Sequence, residues 1–359
     1  MRPLLNPALR ALWRDETTLQ LGADTDRATV LSGLDGPAAE LLTLLDGTRT
    51  SEQLVDAAPA LGVSPGDAGH LIELLDQGGL LLDAARPGPL ATLAEPERRR
   101  LEPDAASWSL RPAGADRVLR ARRAATIVVE GAGRVGAGVA GLLAAAAVGH
   151  LVVVDDRIAG PGDAGPGGHG TPDPGAARAD SAARAAERAA PSTRLEAADR
   201  APTRPPDLVV LSPDGPAAPA GRAEQLLAAD VPHLLATTYE QVAVVGPLVL
   251  PGRSPCGTCL DLHRADRDRQ WPTVAAQLPG PPAPVTGVRA PAACDVVLAG
   301  YATLLATAAV LAFLDDPDRQ HELAGARLEV RPPSLLPRRR SWGVHPGCGC
   351  SWPGSATAG

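Results

Sequence analysis

The stretch "ATIVVEGAGRVGAG" (125–138) constrains this chain more than any other. An apolar, β-branched run ends in a glycine loop, the loop opens an Ala-rich segment expected to be helical from about 134 to 147, and "HLVVVDD" (150–156) is a second apolar run. Strand, loop, helix and strand in that order make a βαβ unit, whose parallel strands need helices on both faces. The alternation continues with "ADSAARAAERAA" as helix, "PDLVVLS" as strand, "GRAEQLLAA" as helix and "PHLLATT" as strand. The expected fold class over 123–352 is therefore α/β, a doubly wound Rossmann-like sheet.

Within the loop, Gly131, Gly133 and Gly136 stand in G-x-G-x-x-G. The first permits the tight turn, the second lets backbone amides approach a phosphate, and the third lets helix and strand pack closely. Asp155 follows at the end of the second strand, where a carboxylate can accept from ribose hydroxyls. The default ligand is a nucleotide, and the loop with Asp155 alone would suit NAD; a glycine turn without ligand is the plainer alternative.

Five cysteines are present, and four fall in two clusters, Cys256 with Cys259 in "SPCGTC" and Cys348 with Cys350 in "HPGCGC". Two pairs about ninety residues apart are what a closed tetrahedral thiolate zinc site needs, and four protein ligands leave no place for a catalytic water. Such a zinc would clamp the end of the chain onto the sheet. Disulfides and Cys-x-x-Cys redox chemistry are the competing readings. The fifth, Cys294, precedes the apolar "VVLAGYATLLATAAVLAFL"; it is read as a small buried residue, with an acyl-carrying thiol as the alternative. His345 is placed to orient the terminal knuckle, while His169, His233 and His263 read as surface or packing residues.

Residues 1–88 are organised differently. A hairpin over 17–34 is followed by three helical segments, "GPAAELLTLLDG", "TSEQLVDAAPALG" and "SPGDAGHLIELLDQGG", and by a closing strand, "LLLDA". This is the plan of a small winged helix-turn-helix domain. Residues 1–90 carry six arginines against thirteen carboxylates, which excludes phosphate-backbone binding, and the chain's formal charge of −7 gives no attraction to nucleic acid or an anionic membrane. Residues 89–122, rich in proline and arginine, read as a linker or arm. The interrupted apolar runs at the N-terminus point to a cytoplasmic chain.

The order of elements in the first domain resembles the PqqD-like peptide-recognition modules of ribosomal-peptide biosynthesis, which implies leader-peptide binding by strand addition. The glycine loop, "VGPLVLPGRSPCGTC" and the terminal cysteine pair together resemble the ThiF/MoeB family, relatives of the ubiquitin-activating enzymes, over about 120–352. That resemblance implies ATP with magnesium, adenylation of the C-terminal carboxylate of a peptide or small carrier protein, and a homodimer. By position it places Gly131, Gly133 and Gly136 at the phosphate loop, Asp155 at the ribose, Asp214 near the metal and α-phosphate, and Arg178 where the family has lysine. The chain has no lysine; all 34 basic residues are arginine. It also departs at the family's Asn-Leu-x-Arg-Gln, where Asp163 and Pro166 replace the asparagine and the arginine. The pairing of the two domains resembles the ocin-ThiF, or F-type, proteins, which implies a leader-peptide-binding partner of a YcaO-type enzyme with an eroded adenylation site. The alternative is a working ATP-dependent adenylyltransferase.

Overall fold

The structure is a computed structural model describing residues 1–165, 167–170, 175–198, 205–279 and 293–351. It divides into two compact units, Met1–Leu119 and Arg120–Gly359.

In the first unit, four short strands precede the helices: β1 (Pro3–Leu5), β2 (Ala11–Trp13), β3 (Leu19–Leu21) and β4 (Thr29–Leu31). Then come α1 (Gly36–Thr43), α2 (Ser51–Leu61), α3 (Pro65–Gln77) and β5 (Leu81–Asp83). The helix starts follow the local chemistry. Asp35 accepts from the Ala38 N–H, Thr50 and Gln53 form a reciprocal capping box, and Ser64 accepts from the Asp67 N–H ahead of Pro65. Leu42, Leu54, Ile72 and Leu75 turn inward from the three helices onto Leu19 and Leu21 of β3.

The strands form two sheets, an antiparallel β2-β3-β4 and a separate β1-β5 pair with Leu4 opposite Leu82. The closing strand thus pairs with β1, a partner absent from the sequence expectation. A three-residue strand is too short to display a period of two. The expected arm is a correction as well, because it contains α4 (Glu95–Ser109) and the start of α5 (Gly114–Ala124). Pro96 sits in the first turn of α4, where its missing N–H costs nothing. Leu101, Ala105 and Trp108 give α4 a buried stripe at helical spacing.

The second unit is built on one eight-stranded sheet. Its elements are β6 (Thr126–Glu130), α6 (Arg134–Ala145), β7 (His150–Val154), α7 (Arg178–Ala189), β8 (Arg194–Ala198), β9 (Leu208–Leu211), α8 (Arg222–Ala228), β10 (His233–Tyr239) and β11 (Val242–Val249). After these come α9 (Gly257–Ala265), α10 (Trp271–Ala275), α11 (Val296–Asp315), β12 (Ala326–Val330) and β13 (Arg338–Ser341). The strand order is β13-β12-β11-β10-β9-β6-β7-β8. The five strands from β10 to β8 are parallel, as the βαβ pattern requires, while β11, β12 and β13 extend the sheet antiparallel. The sheet is therefore mixed, and the doubly wound expectation holds for its parallel part.

The main core lies where α6, α7 and α11 cover one face, and a smaller core lies on the other, where Leu226 of α8 meets Val128, Val152 and Val209. By length and composition α11 could cross a membrane. Here it is a core helix, with Ala302, Ala306 and Val310 fully buried and Thr303 Oγ1 donating to the Val135 carbonyl at 3.3 Å.

Candidate nucleotide cleft and metal centre

From β6 the chain winds outward through β7 to β8, and β9 then returns to the opposite side of β6. The reversal makes the β6/β9 boundary a topological switch point, and ligands of open α/β sheets bind outside the carboxyl ends of the strands there. A cleft of about 190 Å³ lies at this place, walled by Gly133, Arg178, Ser212, Asp214, Thr238 and Cys294 among others.

The glycine loop meets the demands read from the sequence. Gly131 has φ +96°, and a Cβ there would lie 2.0 Å from the Ser212 carbonyl oxygen; a Cβ at Gly136 would lie 1.8 Å from the Gly131 oxygen. Gly133 caps α6 with no side-chain acceptor for its first amides. A Cβ on it would fall 2.5 Å from Asp214 Oδ1 and 3.8 Å from Arg178 Nη1. The loop, Asp214 and Arg178 are thus brought together at one helix N-terminus, the geometry that suits an anion.

Asp155 is buried below the loop. Its Oδ2 accepts from the Ala132 N–H at 2.7 Å and its Oδ1 from the Arg157 N–H at 2.9 Å, so in this state it holds the loop's shape. His169, read as a surface or packing residue, does the same from the other side. Its Nδ1 lies 2.9 Å from Ser181 Oγ and its Nε2 2.5 Å from the Ala132 carbonyl.

Arg178 and the carboxylates around it are already paired. Arg178 Nε donates to Asp163 Oδ2 at 2.9 Å, its Nη2 to Asp163 Oδ1, and its Nη1 to Asp214 Oδ2 at 2.7 Å. Burial alone would lower the guanidinium's pKa, but these two carboxylates raise it well above its usual range. Burial likewise works to raise Asp163, yet Arg178 and the Gly160 N–H hold it below the usual carboxylate range. Arg157, which the sequence did not single out, reaches Asp214 Oδ2 at 2.7 Å. Pro166 lies outside the described residues. Cys294 accepts from Thr238 Oγ1 at 2.9 Å, and burial pushes its thiol up, opposite to what an activated nucleophile needs.

The four clustered cysteines converge. Their sulfurs all lie within 4.8 Å of one another, with Cys256 3.6 Å from Cys348, Cys259 3.4 Å from Cys350 and Cys256 4.0 Å from Cys259. A tetrahedron with zinc–sulfur bonds of about 2.3 Å places sulfurs about 3.8 Å apart, so the set fits zinc. No disulfide links them. Burial pushes the Cys348 thiol up to about 11, the crowding a divalent cation would relieve. Cys256 caps α9, the His345 N–H donates to Cys259 Sγ at 3.4 Å, and Val249 and Leu262 pack around the group. His345 also steadies the knuckle through its ring, which engages Asp266 and the Gly347 N–H.

A family model described as the ThiF family matches residues 106–341. Among solved structures, E. coli MccB with AMPCPP and MccA has TM-score 0.71 at 14% identity, covering 98% of this chain and 99% of that one. The same protein, described as the microcin C7 biosynthetic enzyme in complex with N-formylated MccA, has TM-score 0.70 at 14% identity and coverages of 98% and 100%. PaaA has TM-score 0.66 at 15% identity, with coverages of 93% and 98%. No curated protein matches. At these identities the structural likeness establishes the fold, while the family model spans well over half of the sequence: the chain belongs to the ThiF family.

Proposed function

We propose that this protein recognises a precursor peptide in ribosomal-peptide biosynthesis and delivers it to a modifying enzyme of YcaO type, with its own adenylation site eroded. The observation that carries the reading is the arginine of the phosphate site, Arg178, held between Asp163 and Asp214. An incoming triphosphate would have to displace carboxylates from the guanidinium meant to bind it. The glycine loop fits a nucleotide's approach, but Arg134, Arg157 and Arg178 are matched in number by Asp155, Asp163 and Asp214. That balance does not fit a bound triphosphate unless magnesium adds charge. The cleft is also smaller than the roughly 300–1,000 Å³ of ligand pockets.

The first unit supports the peptide half of the proposal. In its winged-helix-like arrangement, resembling the PqqD-like modules, β2 and β4 are both edges of the small sheet, and Trp13 and Val30 stand exposed on them. An extended peptide adding to such an edge gains main-chain hydrogen bonds and seats alternate side chains. E. coli MccB, a protein of this fold, has been solved in complex with N-formylated MccA, which supports the reading. The test is titration of a labelled precursor peptide against the full chain and against a chain lacking residues 1–119. Binding of about micromolar strength or tighter that is lost on removal supports the proposal. Equal binding by both sinks it.

The second reading is an active adenylyltransferase, with Arg178 turning to phosphate and Asp214 to a magnesium ion. It is favoured by the convergence of Gly133, Asp214 and Arg178 and by the solution of E. coli MccB with ATP. Pyrophosphate exchange abolished by Asp214→Ala would support it.

A further inference from the structure

A second cleft, about 420 Å³, opens between α9 and the last two strands of the large sheet. Arg264 and Arg267 form one wall. Arg327 and Glu329 of β12 share the facing surface by their spacing of two, Arg331 follows just past the strand, and the register sets Arg338 opposite Glu329 and Arg340 opposite Arg327. Directly opposed like charges destabilise a sheet, and arginine cannot shed its proton. Seven arginines, Arg339 included, thus meet at this cleft in a chain of net charge −7.

Two carboxylates answer them. Glu329, 2% exposed, accepts from Arg327, from Arg331 at 2.6 Å and from Arg340 at 2.9 Å, while Asp261 lies 3.2 Å from Arg264. Among the described residues, Arg267 and Arg338 have no acidic partner and the buried Nε of Arg327 has no hydrogen-bond partner. β13 is also an edge strand with all four residues exposed, so its outer backbone groups meet no further strand among the described residues.

We propose that this arginine cleft binds an acidic peptide segment, laid along β13 as an added strand with carboxylates at alternate positions. Residues two apart in a strand lie about 7 Å from each other on one face, so alternate glutamates or aspartates would meet the arginine forks of β12, β13 and α9 in turn. Phosphate shares the fork chemistry, but the unpaired edge beside the arginines favours an extended chain. A second copy pairing its own β13 here would set arginine against arginine. The site is separate from the nucleotide cleft and stands or falls independently of the peptide reading above.

The test uses the full chain and a fluorescent decapeptide of alternating Glu and Thr, with its Gln counterpart as control, followed by anisotropy at low and high salt. The Glu peptide should bind at least about tenfold tighter, salt should weaken it, and Arg267→Gln with Arg338→Gln should remove the difference. Those two side chains hold no acidic partner among the described residues, and glutamine sets no second negative charge opposite Glu329, so the fold should survive the change. Hydrogen exchange should slow at the amides of 338–341 when peptide is added. Equal affinity for the two peptides, unchanged affinity in the double variant, absence of protection in β13, or preference for inorganic triphosphate or an RNA oligonucleotide would each overturn the proposal.

Discussion

Replacing Asp163 by asparagine puts back the residue type that the ThiF resemblance leads one to expect there, and it should strengthen ATP binding. Asp163 grips the side of the Arg178 guanidinium away from Gly133, through Nε and Nη2, while Nη1 lies 3.8 Å from a Cβ position on Gly133. A phosphate at the start of α6 would then sit about 7 Å from the Asp163 carboxylate, where two unit negative charges repel by about 2 kcal/mol at an effective dielectric near 20. Water in the open cleft reduces this to about 1–2 kcal/mol. The expected gain in Mg–ATP affinity for Asp163→Asn is therefore about fivefold to thirtyfold. Asparagine's oxygen can still accept from Arg178, so the side chain should stay in place. Isothermal titration with Mg–ATP against both proteins reads the effect, and thermal melting checks that the fold is retained. Unchanged or weaker ATP binding in a variant that melts normally would refute the claim that Asp163 competes with phosphate for Arg178.

Further outcomes follow from the same geometry. Gly136→Ala forces a methyl to within 1.8 Å of the Gly131 oxygen and should cost about 2–4 kcal/mol, read by denaturant unfolding; a neutral effect would mean that loop and helix do not pack this closely. Cys348→Ser should remove the metal from a protein that otherwise carries about one zinc per chain, with a clear drop in melting temperature, as measured by elemental analysis and calorimetry. Glu329 is pushed up by burial, but hydrogen bonds from Arg331 and Arg340 and the charge of Arg327 prevail, taking it from its ordinary 4.5 to about 2. A lowered folded-state value means stability that is present above pH 4.5 and lost as pH falls toward 2. Acid titration of Glu329→Gln should accordingly be flatter across that window by up to about 3 kcal/mol.

The legible parts of this molecule were those whose signals are local. Gly131, Gly133 and Gly136 declare themselves because a turn, a close approach and a packing contact all fall within six residues, and the cysteine pairs do so because metal ligands keep short spacings. The helices of the first unit were readable from Asp35, Thr50 and Ser64 because caps act within three residues. What escaped depends on contacts across the fold. The roles of Asp163, Arg157 and His169 exist only once the loop after β7 folds back over the glycine turn, and nothing in "PGDAGPGGHG" signals that. The stripe of Leu101, Ala105 and Trp108 in α4 is diluted by charged neighbours and two prolines, so the segment looked unpatterned. The arginine cleft joins α9 to strands some seventy residues later, and no local spacing links the two.

The most direct test of the account is ATP–pyrophosphate exchange measured on the same sample that binds a precursor peptide. With Arg178 committed to Asp163 and Asp214, the account predicts peptide binding with no exchange above background. Exchange at turnover rates of about 1 s⁻¹ or faster, abolished by Asp214→Ala, would contradict it and establish a working adenylating enzyme.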